Sequence, residues 1–495
     1  MHILELPSFF EPHGGMFCLE QAKALQARGH EVRILSCSQL AWTVDRAYYL
    51  KARCGRWTEV MGGIKCETTG ESKCETNGQN ECEIKCGGES MHGTKREGKC
   101  ESMRGTKREG KRETMYETKR EGGVEVLRTY MRAVPKWVRL NQRRWVRIVL
   151  SMYDAYVRKY GKPDVIHAHC AKWAGVAAMA ISRRDGIPYF VTEHLSAGLL
   201  EEDFGPGWTR HVWAKDLLRS VYHNAACVIP VAAELVDGLQ PYFGRDYRFV
   251  AVSNIVDTDF FAYQERESWN GQNQALNSQP PSNKAEWQLS KEAEGKTLSK
   301  EADGQTLSQE ADGQNQINKS EGQTPGSRPY KYCVLARADI YGKGFDVLAE
   351  VWPRIKDGEL YIAGAGTDAG SFKALFGQDP SVHCLGRLDK GQVRDLLYRC
   401  DALVLPSRSE AQPLVLLEAM STGIPVVSTE VTPACERIAN ACLIAVTGDS
   451  ESLYKQMMEV RRLQPSWQIS EAVRLIASPE VVAGQLEGIF LEFGV

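Results

Sequence analysis

Glu410 and Glu418 stand eight positions apart in the segment Pro406-Ser-Arg-Ser-Glu410-Ala-Gln-Pro413-Leu414-Val415-Leu-Leu-Glu418-Ala-Met-Ser-Thr-Gly423. The apolar run Ala402 to Leu405 before it predicts a buried parallel strand, Pro413 suits the first turn of a helix, and Gly423 ends that helix. Glu410 then falls in the loop and Glu418 inside the helix. Carboxylates so placed can grip hydroxyls on two different rings, and the helix N-terminus between them attracts a diphosphate. A glutamate pair taken alone is more often solvated, so the case rests on its surroundings.

Other chemistry-bearing residues follow strand ends. Arg337 comes directly after the strand pattern Tyr332 to Ala336, with Lys343-Gly344 six positions on. A guanidinium fork and an ammonium from one loop can clamp a diphosphate and neutralise it as it departs, although a solvated basic loop would look the same. Gly364-Ala-Gly366 closes another strand, where a missing side chain lets backbone approach a flat base. Gly14 and Gly15 follow the first strand and open a helix, too few glycines for a dinucleotide fingerprint. His167-Ala-His169 and Thr192-Glu193-His194 end two further strands. A histidine there can meet a hydroxyl or phosphate, and His194 is weighted above His169.

Alternating elements must position these residues. His2 to Leu6 is a predicted strand, Phe17 to Arg28 a helix ended by Gly29, and Glu31 to Leu35 the next strand. Strands at 124–127, 164–168, 188–192 and 226–229 continue the first half; strands at 332–336, 359–363, 381–385, 401–405 and 424–428 build the second. The expected architecture is α/β, two doubly wound Rossmann-like domains facing a central cleft. Residues 1–264 form the first, acceptor-side domain, 329–470 the donor domain, and 471–495 a helical segment returning to the first.

Two polar tracts interrupt this pattern. Residues 61–123 are poor in large apolar side chains, and Gly93-Thr-Lys-Arg-Glu-Gly-Lys99 returns at Gly105 and, in part, at Glu117. Residues 265–328 carry a nine-residue repeat starting at Leu289, Leu298 and Leu307. One leucine in nine cannot cover the entropy of ordering the rest, so both are read as disordered insertions.

The 495 residues carry a net charge of -2, which gives no global pull toward nucleic acid. No secretory leader or membrane-length apolar run is recognised, which suggests a cytoplasmic protein. Fifteen cysteines, an odd number without paired short spacings, read as free thiols; Cys82 and Cys86 lack a second pair to complete a metal site.

The chain resembles the retaining GT-B glycosyltransferases of family 4, the glycosyl transferases group 1, outside the two inserts. The resemblance is carried by Gly14-Gly15, Asp164-Val-Ile-His-Ala-His169, Thr192-Glu-His194, Val228 to Ala232, Asn254-Ile-Val-Asp257, Arg337 with Lys343-Gly344, and Glu410 through Glu418. It implies that Arg337 and Lys343 hold a donor diphosphate, Glu418 the ribose and Glu410 the donor sugar. His194 would face the acceptor, and Gly14, Gly15, Gly364, Gly366, Leu414 and Val415 would join the donor site. It further implies retention of anomeric configuration, no metal, and no cofactor beyond a UDP- or GDP-linked sugar. The family's usual Glu-Gly-Phe-Gly is here Glu410-Ala411-Gln412-Pro413, which removes one backbone N–H.

The acceptor has its own clue. Between Tyr130 and Pro163 nine Lys or Arg stand against one Asp, interleaved with Trp137, Trp145, Tyr153 and Tyr156. Such a helix suits an anionic membrane surface beside a lipid-linked acceptor, or a solvated face whose aromatics enter the core. The leading expectation is a glycosyltransferase acting on a glycan or lipid-linked acceptor in surface polysaccharide or lipopolysaccharide assembly. A sugar-nucleotide epimerase and a catalytically idle relative acting as a binding partner are the alternatives.

Overall fold

The computed structural model describes residues 1–8, 10, 16–40, 116–134, 136–195, 212–265, 328–377, 379–432, 438 and 440–494, with a small pairing of 75–76 and 82–83. Strands β1 (His2–Pro7), β2 (Glu31–Leu40), β3 (Glu117–Glu121), β4 (Val124–Arg132), β5 (Val165–His169), β6 (Tyr189–Glu193) and β7 (Cys227–Pro230) form one sheet in the order β3-β4-β2-β1-β5-β6-β7. Strands β8 (Tyr330–Leu335), β9 (Gly358–Ala363), β10 (Val382–Gly386), β11 (Ala402–Val404), β12 (Val426–Thr429) and β13 (Cys442–Ala445) form the other, in the order β10-β9-β8-β11-β12-β13. All neighbours run parallel except β3 against β4. In both sheets the strand order reverses beside the first strand, between β1 and β5 and between β8 and β11. Those reversals open the crevices at which doubly wound sheets take their ligands.

Continuous apolar runs explain the parallel strands, since both faces are covered. β1 and β5 are buried almost throughout, and α1 (Met16–Ala27) and α2 (Val138–Tyr160) lie against the first sheet on separate cores. The last strand, β13, was not anticipated; Cys442-Leu-Ile-Ala is short and follows a segment rich in small residues.

Two boundaries differ from the sequence reading. The final repeat unit of the first polar tract, placed in an insertion, is the edge strand β3. Its Arg120↔Glu125 register and the Glu121–Arg128 ion pair at 2.9 Å hold it to β4, and Gly122 and Gly123, at φ 54° and 89°, supply the hairpin turn. An edge strand needs little apolar content, so composition alone hid it. The rest of that tract, and 266–327 of the second, lie outside the described residues. The chain also enters the second core before the second tract: Val256 and Phe261 pack with Leu335, Leu403 and Leu416.

The C-terminal helix (Pro479–Gly494) packs on the first domain, where Val482, Leu486 and Phe490 join Ile3, Leu25 and Phe190. In α2, Trp145, Tyr153 and Tyr156 are fully buried and Trp145 Nε1 donates to Cys37 O at 2.7 Å. Of the four aromatics considered for a membrane face, three therefore serve the core; Trp137, 62% exposed, remains outside with Lys136, Arg139, Arg143 and Arg147.

Candidate functional site

The loops that carry Lys343 and Glu410 leave β8 and β11, the strands flanking the reversal. Gly344, at φ 68°, lets the loop after β8 pass so close to the loop after β11 that a Cβ there would stand 1.9 Å from Pro406 O. That approach brings Lys343 Nζ to Glu410 Oε1 at 2.6 Å, with both side chains mostly buried. Arg408 ties the same loops, giving two hydrogen bonds to Asp346 at 2.7 and 2.8 Å and one to Tyr341 O at 2.7 Å. Sequence reasoning passed over Arg408; its position four residues after β11, close to Glu410, was the available signal.

Arg337 leaves the end of β8 and is 58% exposed, its guanidinium 3.4 Å from Asp339. Gly364 is required by the chain itself, since a Cβ there would meet Ala336 O at 1.9 Å; the close approach expected of a base is made by backbone. Gly366 has φ 83°. Gly14 and Gly15 lie outside the described residues.

The helix following this loop, Leu414–Ser421, begins directly after Pro413, whose φ of -71° and ψ of 122° mark it as the cap. Leu414 and Val415 are half-buried in its first turn and pack against the second core. Glu418 sits one turn further. Burial pushes its carboxyl up to about 7, against the opposing pull of the Lys390 charge. Among the described residues no hydrogen bond or ion pair satisfies this carboxylate, an expensive state for a partly buried acid.

The acceptor-side edge gathers β1, β5 and β6. Glu5 is fully buried, with His167 Nδ1 at 3.1 Å from one of its oxygens and His169 Nε2 at 2.8 Å from the other. Burial would raise its carboxyl, but the imidazole charge and hydrogen bonds override that and hold it at about 2. His169 Nδ1 lies 3.3 Å from His194 Nε2, and the Phe17 ring stacks on His194 at 3.8 Å. Burial lowers the basicity of His169 and, more strongly, of His194. Cys18 stands in a 4.8 Å cluster with Glu5 and His169, but burial pushes its thiol well up, so it stays protonated.

Glu193, between the two motif residues singled out there, is structural. Its oxygens accept from the backbone N–H of Ala171, His194 and Leu195, each at 3.0 Å, and from Tyr222 OH at 2.7 Å. The carboxylate thus fixes the backbone that presents His194.

The two halves meet at the loop between the glutamates. Gln412 Oε1 accepts from Asn254 N at 2.6 Å and Ser253 Oγ at 3.2 Å, and Gln412 O accepts from Asn254 Nδ2 at 2.9 Å. Ala411 packs against the first core. Gln412, one of the three residues at which this chain departs from the family pattern, therefore fastens this loop to the first domain.

The family model for Glycosyltransferase Family 4 matches residues 105–260, and that for Glycosyl transferases group 1 matches 330–462. The chain thus resembles the group 1, family 4 glycosyltransferases over both of its halves. It is 24% identical over 314 residues to TuaC of Bacillus subtilis, named as a glycosyltransferase of teichuronic acid biosynthesis, across 62% of this chain and 64% of that protein. The match therefore spans less than two thirds of that relative. Over 98 residues, 18% of this chain and 22% of the other, it is 37% identical to the gpi3 subunit of the Schizosaccharomyces pombe phosphatidylinositol N-acetylglucosaminyltransferase.

Solved structures agree on the GT-B fold. Sucrose-phosphate synthase from Thermosynechococcus elongatus superposes with a TM-score of 0.59 at 15% identity, covering 99% of both chains. Anabaena HepE in complex with UDP gives 0.53 at 13%, covering 99% of this chain and 100% of its own.

Proposed function

We propose that the chain moves a sugar from a nucleotide-sugar donor to a hydroxyl of a glycan or lipid-linked acceptor, with retention at the anomeric carbon. The observation that carries this reading is the Lys343–Glu410 contact of 2.6 Å at the reversal of the second sheet. Lys343 spends one of three protons on Glu410 and keeps two for a departing phosphate; Glu410 keeps an oxygen for a sugar hydroxyl. Arg337 adds a second cation, and Glu418, without a partner among the described residues, suits the two hydroxyls of a ribose. The leaving diphosphate itself accepts the acceptor's proton on the face it departs from, so its stabilisation is the main electrostatic task. No metal is required by that scheme.

UDP is the first nucleotide to test, because HepE was solved with UDP and UDP-glucose; GDP is the second. The name of TuaC favours surface polysaccharide as the destination, with lipopolysaccharide as a related one. No helix among the described residues is long and apolar enough to cross a membrane. The exposed cations of α2 with Trp137 would bring a cytoplasmic enzyme to an anionic lipid surface.

Thermal shifts with a panel of nucleotide sugars identify the donor, and nucleotide release with and without acceptor then reports transfer. Release that requires acceptor is expected; release accompanied by a remade free sugar, without acceptor, would indicate an epimerase. Full turnover in both Lys343→Ala and Glu418→Ala would overturn the assigned site.

A further inference from the structure

Glu5 and His169 do not reach the loops assigned to the donor, yet both are buried polar groups connected to His194. Glu5 has two oxygens and two imidazole contacts, His167 Nδ1 at 3.1 Å and His169 Nε2 at 2.8 Å. Its carboxyl titrates at about 2, so near neutrality it is ionised and can only accept. Both of those ring nitrogens must then carry protons. His167 Nε2 faces Thr192 Oγ1 at 2.6 Å, a hydroxyl that can donate or accept and so places no constraint on that proton.

The count propagates one ring further. His169, its basicity lowered by burial, carries a single proton, and Glu5 claims it for Nε2. His169 Nδ1 is then a bare acceptor, and the atom facing it at 3.3 Å is His194 Nε2. A bond across that gap needs the proton on His194 Nε2. His194, also neutral, is left with a bare Nδ1.

We infer that Glu5 and His169 are positioning residues that lock His194 in its Nε2–H form, so that its Nδ1 acts as a hydrogen-bond acceptor for a substrate hydroxyl. An imidazole free to exchange tautomers would offer a donor half the time and repel that hydroxyl's proton. Phe17, stacked at 3.8 Å, holds the ring plane, and the four bonds to Glu193 hold the backbone beneath it. The opposing influence is Asn254, whose buried side-chain oxygen meets no well-aligned donor among the described residues but lies close enough to His194 to favour a proton on that ring. The relay decides against it because Glu5 is charged and Asn254 is not. The use of that acceptor nitrogen by a hydroxyl rests on the proposed transfer function; the tautomer does not.

The test uses the full chain labelled with ¹⁵N-histidine and long-range ¹H–¹⁵N spectra, with His194→Gln and His169→Gln supplying assignments. The expected result is Nε2–H for both His169 and His194, with His194 Nδ1 at the shift of an unprotonated imine nitrogen. A proton on His194 Nδ1, or a cationic His169, overturns the inference. Glu5→Asp, which keeps two acceptors, should preserve the pattern. Glu5→Leu should average the His194 signals and lower kcat about twofold at unchanged donor KM, as expected when the hydrogen-bond acceptor is populated half the time instead of locked. Unchanged His194 signals in a folded Glu5→Leu protein also overturn it. Expected tautomers without acceptor-dependent turnover would instead overturn the transfer reading and leave the relay standing.

Discussion

Glu418→Gln should make the protein more stable at pH 8 while weakening donor binding. The native carboxyl titrates at about 7 against an ordinary 4.5, so the folded state holds this proton more tightly than the unfolded chain does. The stability it supports is complete below the unfolded value and is lost as pH rises to about 7. At about 1.4 kcal/mol per tenfold, ionised Glu418 costs about 3 kcal/mol above that pH. The glutamine side chain cannot ionise, and its own unpartnered amide returns about 1 kcal/mol of that gain. The variant should therefore exceed the parent by about 2 kcal/mol at pH 8 and match it at pH 5, read by urea denaturation at both. If Glu418 meets a ribose as a carboxylate, nucleoside diphosphate binding should also release about three quarters of a proton at pH 6.5 from Glu418 in the parent and none from that position in the variant, measured by calorimetry in buffers of different ionisation enthalpy. A stability difference that does not change between pH 5 and pH 8 would refute the burial argument. Equal proton release by parent and variant would refute the ribose contact.

Gly344→Ala should cost more than about 2 kcal/mol in thermal or chemical denaturation, because it combines a left-handed backbone with a Cβ 1.9 Å from Pro406 O. Gln412→Ala strips the acceptor from the Asn254 N–H and should cost about 1 to 3 kcal/mol by urea denaturation. Gln412→Glu, which retains an acceptor, should recover most of it. Tyr222→Phe removes one of four donors to buried Glu193 and should cost about 1.5 to 3 kcal/mol at pH 8. That bond serves the ionised acid, whose own value burial already raises, so the deficit should shrink toward pH 5 in paired denaturation curves.

The alternation of strands and helices was legible because continuous apolar runs and their Gly and Pro punctuation are local signals. So was the division of Glu410 into a loop and Glu418 into a helix, for Pro413 marks the junction within the segment itself. What failed was local evidence for long-range pairing. β3 reads as polar repeat because an edge strand answers to its neighbour: Lys119 and Arg120 tell nothing until Val126 and Glu125 are known to lie opposite. Trp145, Tyr153 and Tyr156 read as equally suited to lipid or core, since helical spacing defines a face but not what covers it; the first sheet covers this one.

The site shows the same limit more sharply. Lys343 and Glu410 were assigned to phosphate and sugar as separate groups, and their contact joins loops 67 residues apart through a glycine chosen for Pro406. Gln412 read only as a departure from the family pattern because its partner lies 158 residues away, in the other domain. A donor loop fastened by its side chain does not need the glycine-rich freedom of Glu-Gly-Phe-Gly, and Pro413 stiffens the same loop from within. The substitution therefore exchanges backbone flexibility for a fixed junction. It predicts that domain closure in this chain depends on the Gln412–Asn254 contact as much as on bound donor.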